Sequence, residues 1–273
     1  MKVWLNGALC DEAEARVSPF DHGLLTGDGV FETLRVYGGT PFALRRHLQR
    51  LGRSADGLRL PLLPATDLTR ACREVIAANH IGDGRLRITV TGGAGPLGSD
   101  RGGGGPTSVV AAALLTPWPP TVDVVMAPWP RNERGAIAGL KTISYAENVV
   151  ALAHAKARGA GEAVFPNLAG LLCEGAGTNV FVGREGRLLT PPLSSGCLAG
   201  VTRELLLEAG VAEEEDLPAV ALAEAEEAFV TSSTREVHPI RNVDGRSLRH
   251  CPGPLTGRAA DAFAAILAAG MDP

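Results

Sequence analysis

The sequence predicts an α/β (α+β) protein, and three observations carry that prediction. Strand-like runs rich in Val, Ile and Thr alternate along the chain with segments whose apolar residues recur at helical spacing. A Pro-rich stretch at residues 116–120 reads as a linker between two such alternating halves. The chain has 273 residues, 45% of them hydrophobic but only 4% aromatic, enough for one large domain or two ordinary ones with cores filled mainly by Ala, Leu and Val. The expected division is an N-terminal α/β domain at 1–115, the linker at 116–120 and a C-terminal α/β domain at 121–273.

In chain order, residues 3–7 read as a strand ending in Asn6-Gly7, a hairpin signal. Residues 29–37 form a second strand-like run, turned by Gly38-Gly39. Leu44, Leu48, Leu51, Ala55 and Leu58 recur on one helical face, so a helix is predicted over 42–58 and another over 65–78. Strands are expected at 85–91 and 108–115. The Gly-rich segment 92–106 between them lacks the Gly-Lys-Ser/Thr of a phosphate loop and reads as a flexible loop or a disordered one. The second half gives strands at 122–127, 162–166, 171–174, 179–182 and 228–231. Helices are expected at 146–158, 202–209, 222–225 and 257–270.

Composition excludes some functions. A formal net charge of −4 gives no basic footprint for nucleic acid. No stretch approaches the roughly 20 apolar residues of a membrane-spanning helix, and the N-terminus lacks a signal-peptide core. Five widely spaced cysteines without a C-x-x-C fit neither a disulfide framework nor a metal knuckle, and suit a reducing cytoplasm. The 26 basic residues include only three lysines, Lys2, Lys141 and Lys156.

Three segments carry chemistry. In Gly139-Leu140-Lys141-Thr142-Ile143-Ser144-Tyr145 a lysine stands among apolar residues just before a helix. Such a lysine is a Schiff-base nucleophile or general base, or else an exposed strand-end residue. In Leu172-Cys173-Glu174-Gly175-Ala176-Gly177-Thr178 a carboxylate ends a strand before a Gly-rich turn. It is either a solvated hairpin residue or a partner that keeps a pyridine nitrogen protonated. In Gly200-Val201-Thr202-Arg203 a glycine leads directly into a helix, whose first N–H groups suit an anion or a capping side chain. The hydroxyl cluster Thr231-Ser232-Ser233-Thr234 can add donors to the same anion.

These segments resemble, in order, those of the class IV aminotransferases, the fold-type IV enzymes of pyridoxal 5′-phosphate (PLP). The resemblance also takes in Asp21-His22-Gly23 through Phe31-Glu32-Thr33 and His47-Leu48-Gln49-Arg50-Leu51, and so spans nearly the whole chain. It implies a two-domain architecture with the cofactor between the domains, normally as a homodimer. It implies that Lys141 forms a Schiff base with PLP and removes the substrate proton, and that Glu174 pairs with the pyridine nitrogen. Arg50, with Arg53 as the nearby alternative, the Val201 and Thr202 amides and Ser233 would hold the phosphate. Tyr145 would lie near the ring hydroxyl, and Thr234, Glu32 and Thr33 would face substrate. Arg101, in the Gly-rich loop, either binds a substrate carboxylate or is a solvated loop residue.

Within the family, the Tyr four residues after the lysine and the run 27–35 resemble 4-amino-4-deoxychorismate lyase, which releases 4-aminobenzoate and pyruvate in folate synthesis. The expected activity is therefore that lyase. The alternatives are an aminotransferase acting on D-amino acids, branched-chain amino acids or (R)-amines, and a PLP-binding relative without turnover. The substrate is a small amine or amino-acid-like molecule, with no metal involved.

Overall fold

The computed structural model describes residues 1–273 and separates into two compact units. The first comprises residues 1–116, 140–145 and 271–273; the second comprises 117–139 and 146–270. A single cut after residue 115 therefore misses that the Lys141 segment belongs with the first unit. No helix is long and apolar enough to cross a membrane.

The first unit is built on a six-stranded sheet. Its elements are β1 (Lys2–Leu5), β2 (Ala8–Asp11), the short helix α1 (His22–Leu25), β3 (Gly29–Tyr37), β4 (Thr40–Pro41), α2 (Leu44–Gly57), α3 (Ala65–Ala78), β5 (Gly84–Thr91) and β6 (Thr107–Leu114). The spatial order is β2-β1-β6-β5-β3-β4, antiparallel throughout. Asn6-Gly7 turns β1 into β2, both with positive φ, as this hairpin turn requires. Alternation assigns the faces. Val30, Leu34 and Val36 of β3 join Leu86, Ile88 and Val90 of β5 in a core closed by Leu51 and Ala55 of α2 and by Leu68 and Val75 of α3. Phe31, Thr33 and Arg35 point to the opposite face, in register with Thr89, Arg87 and Arg85. The Gly-rich loop 92–106 holds no helix or strand. It is tied down nonetheless, by a bridge from Ala94 to Asp21, a contact from Pro96 O to His22 Nε2 at 2.9 Å and an ion pair from Arg101 to Asp28.

The second unit carries a nine-stranded mixed sheet. Its elements are β7 (Val122–Met126), α4 (Ala146–Lys156), β8 (Glu162–Pro166), β9 (Leu172–Gly175), β10 (Asn179–Arg184), β11 (Arg187–Thr190), α5 (Val201–Glu208), β12 (Glu213–Glu214), β13 (Glu227–Ser232), β14 (Glu236–Val243), β15 (Arg246–Ser247) and α6 (Pro254–Ala269). The order runs β12-β11-β10-β13-β14-β7-β8-β9, with β15 on β14. Val124, Val164, Val180, Val182, Val230 and Ile240 fill its core. Leu222, expected in an α-helix over 222–225, instead ends a short 3-10 turn at Ala219–Leu222.

Candidate active site

In the first unit, Lys141 lies on a strap that runs along the free edge of β3. Phe31 N–H donates to Lys141 O at 3.1 Å, Ile143 N–H to Gly29 O at 2.9 Å, and Lys141 N–H to Ser54 Oγ of α2 at 3.0 Å. The Ser144 hydroxyl donates to Gly27 O at 2.9 Å. Both ends of the strap are thus fixed by backbone, and the Lys141 ammonium rests 4.2 Å from the centroid of the Phe31 ring. The edge of Tyr145 meets the same ring at 5.3 Å between centroids. A third group shares it: the Arg87 guanidinium lies 3.8 Å from the Phe31 centroid. Arg87 forms no ion pair with a carboxylate; its Nε–H donates to Thr89 Oγ1 at 3.1 Å, and burial lowers its pKa.

Beneath β3 sits a buried charged cluster. Arg50 donates from Nε to Glu32 Oε1 and from Nη2 to Glu32 Oε2, both at 2.7 Å, and His47 Nδ1 lies 2.7 Å from Glu32 Oε2. All three are buried. Burial alone is the largest influence on Glu32 and raises its pKa, but the charges and hydrogen bonds of Arg50 and His47 together outweigh it and hold the carboxyl well below the usual range. Burial dominates at His47 and lowers its pKa, so the ring is neutral and donates from Nδ1 to Glu32. The expectation that Glu32 faces substrate fails: it is 0% exposed, with both oxygens occupied. It stands in phase with Val30, Leu34 and Val36 on the inward face of β3, and it is Arg50 and His47 of α2 that allow a carboxylate there. Thr33 is half-buried on the outward face, opposite Arg87. Arg53 is exposed. Arg101 is half-buried and held within its own unit: it pairs with Asp28 and donates to Arg59 O at 2.8 Å.

The second unit holds the remaining residues. Glu174, at the end of β9, accepts the Leu198 N–H on Oε2 at 2.9 Å and has Arg131 Nε 3.2 Å from Oε1. Cys173 and Cys197 nearby stay as thiols, because burial, with the Glu174 charge second, pushes Cys197 up to about 11 and Cys173 further. Gly200 caps α5 with extended backbone and without a side-chain hydrogen bond, leaving the amides of Val201 and Thr202 at an uncapped helix start. A Cβ on Gly200 would stand 1.9 Å from Asn179 Oδ1, so only glycine lets the chain turn there. Asn179 anchors the approach by donating from Nδ2 to Leu198 O at 2.8 Å. Beside Asn179 in the sheet, Thr231 Oγ1 is buried with no hydrogen bond, an orphaned donor on the strand that leads to Ser233 and Thr234 at the β13–β14 turn.

The model of the class IV amino-transferases matches residues 29–243. A putative branched-chain-amino-acid aminotransferase of Methanocaldococcus jannaschii is 34% identical over 96% of this chain and 95% of its own. A D-alanine aminotransferase of Bacillus licheniformis is 32% identical over 94% and 93%. Among solved structures, the Escherichia coli branched-chain amino acid aminotransferase superposes with a TM-score of 0.92 at 28% identity, covering 97% of this chain and 94% of that one. The T.th. branched-chain amino acid aminotransferase with pyridoxamine 5′-phosphate superposes with a TM-score of 0.90 at 26% identity, covering 96% and 92%. The chain belongs to the class IV aminotransferase family, with the fold-type IV architecture, and its cofactor is pyridoxal 5′-phosphate. The residues fit that group. An uncapped helix start and an orphaned hydroxyl suit a phosphate, an amine on an aromatic ring suits an aldehyde, and an anchored carboxylate suits a pyridine nitrogen.

Proposed function

We propose that the protein is an aminotransferase that moves the amino group of an amino acid with an apolar side chain to a 2-oxo acid. The observation that carries this reading is the Phe31 ring, which holds the Lys141 amine and the Arg87 guanidinium together. A cation without a carboxylate partner on the same ring as the reactive amine is suited to a substrate carboxylate, and a bare amine substrate has no use for it. The relatives support the same class, being named as aminotransferases of branched-chain amino acids and of D-alanine. The lyase expected from residues 27–35 and Tyr145 finds no such support, and the aminotransferase replaces it.

In this reading Lys141, Tyr145 and Arg50 of the first unit, and Glu174, the Val201 and Thr202 amides and Ser233 of the second, hold the cofactor. Bound there, it supplies an electron sink for the carbon that bears the substrate nitrogen. Lys141 takes the proton from that carbon, with its amine held against the Phe31 ring. Thr234, beside Ser233, faces substrate. The reading includes a homodimer, supported by apolar side chains left exposed in each unit: Phe20, Leu24 and Leu97 in the first, Val149 and Val150 in the second. Five unpaired cysteines support a reducing compartment.

The test is acceptor dependence. PLP-loaded protein is incubated with L-leucine, L-valine or D-alanine, with and without 2-oxoglutarate. Glutamate should form only with both partners present, and the donor that reacts sets the stereochemistry. Pyruvate released from 4-amino-4-deoxychorismate without an acceptor, with no glutamate from any donor, would overturn the reading in favour of the lyase.

A further inference from the structure

Arg131 is absent from the set of residues that touches the cofactor in the reading above, yet it is built into the surroundings of Glu174. Its guanidinium stacks on the Phe165 ring at 4.1 Å and lies 3.2 Å from Glu174 Oε1. The Nε–H is buried and makes no aligned hydrogen bond, so this contact is Coulombic. The hydrogen bonds go elsewhere: Nη1 donates to Glu147 Oε2 at 3.1 Å and to Asn148 Oδ1 at 3.2 Å, both at the start of α4. Asn148 in turn donates from Nδ2 to Ala176 O, two residues past Glu174. The backbone of Arg131 is pinned too, its N–H donating to Pro166 O at 2.7 Å. Arg131 and Glu174 are each only 14% exposed, so water screens the pair weakly.

We infer that Arg131 is a positioning residue that decides where a proton rests between Glu174 and the pyridine nitrogen of the cofactor. The inference rests on the reading that Glu174 faces that nitrogen. A carboxylate and a pyridine can share one proton in two ways, as an ion pair or as a neutral acid with a neutral ring. Passing from the first to the second moves positive charge from the ring onto Glu174, next to the guanidinium. The potential of Arg131 is stronger at the carboxylate it touches than at the ring beyond it. It therefore raises the cost of that transfer and keeps the proton on the ring, where it is needed for the electron sink. The Leu198 N–H on Oε2 acts in the same sense, since it too stabilises the anion. Phe165, Glu147 and Asn148 fix the guanidinium, so that it keeps its distance and cannot swing to a ligand.

The test is the nitrogen chemical shift of 15N-labelled PLP bound to wild type, Arg131→Met, Arg131→Lys and Glu174→Gln. Wild type should show a protonated ring nitrogen. Arg131→Met should move the signal toward the neutral pyridine value and lower turnover by roughly 10–100-fold, the range seen when an outer orienting partner is removed. Arg131→Lys should restore most of the shift. If Arg131→Met does not fold, Arg131→Gln gives the same comparison without the charge. An unchanged shift in the Arg131 variant, with a changed one in Glu174→Gln, overturns the inference alone. No change in any variant means that Glu174 does not serve the nitrogen, and both readings fall.

Discussion

Glu32 and Arg50 face each other as a two-pronged pair, with both carboxylate oxygens of Glu32 accepting from the guanidinium at 2.7 Å and Glu32 wholly enclosed. A strand residue that alternates with valines and leucines is thereby locked to the helix that covers it. Removing one member of such a pair strands the other charge in the core.

Glu32→Gln should cost about 3–5 kcal/mol of unfolding free energy, measured by urea denaturation. The pair also sets an acid limit. The folded chain holds Glu32 ionised below its ordinary value of 4.5, so the contribution of the pair is full above that pH and is lost as pH falls. His47, held neutral below its ordinary 6.5, adds a loss in the same direction that begins at higher pH. Stability should therefore decline on acidification from about pH 6.5, and below about pH 4.5 the decline should be less steep in Glu32→Gln, which lacks the carboxylate. A wild-type stability that stays flat between about pH 7 and pH 4 would contradict this.

Lys141→Ala should reduce turnover by at least about 10²–10⁴-fold, the range lost with a positioned proton-transfer group. Borohydride reduction of the wild-type holoenzyme should leave PLP on the peptide containing Lys141, and none on those containing Lys2 or Lys156. Label at Lys2 or Lys156 instead would remove the assignment.

Arg87→Gln separates the substrate carboxylate from the rest of the chemistry. Losing a hydrogen bond to a charged group costs about 1.5–3 kcal/mol, so kcat/KM for amino acids should fall roughly 10–150-fold. A donor amine without a carboxylate should be processed as by wild type. Equal losses with both donors would show that Arg87 acts on the fold or on Lys141 rather than on substrate.

Gly200→Ala should drive Asn179 from its place, since the added Cβ would stand 1.9 Å from Asn179 Oδ1. Overpacking of this kind costs about 1–3 kcal/mol, and at the start of α5 it should appear as weaker PLP binding in a tryptophan-fluorescence titration of the apoprotein. Gly257→Ala in α6, where nothing lies within 4 Å, serves as the control and should bind PLP normally. Unaltered affinity in Gly200→Ala would argue that the phosphate sits elsewhere.

Local patterns are readable wherever they decide the structure locally. The helix predicted over 65–78 matches to the residue, because Leu68, Cys72 and Val75 sit at helical spacing behind Pro64. The strand over 29–37 matches as well. The strand β14 at Glu236–Val243 escapes sequence reading, because Pro239 and four charged or polar side chains disguise a segment paired on both sides. Among site residues, Lys141 and Glu174 carry their own local signals. Arg87 and Arg131 do not. Each gains its place from a partner more than 40 residues away, Phe31 for Arg87 and Glu174 for Arg131. Strand register and packing supply those pairings, and neither is written in a short stretch of sequence. The inward phase of Glu32 is the one available hint of the buried cluster, because a glutamate at a core position demands a partner.

The chain enters and leaves the first unit more than once, since residues 140–145 belong to it while their flanks on both sides do not. The consequence is genetic. A gene fragment ending near residue 116 would encode all six strands of that unit but not the strap that occupies the edge of β3. The Phe31 N–H and Gly29 O would be left as an open strand edge, a template for association with other chains. Recombination therefore cannot pass this unit to another protein as one continuous cassette, and any exchange that keeps it folded must carry the reactive lysine along.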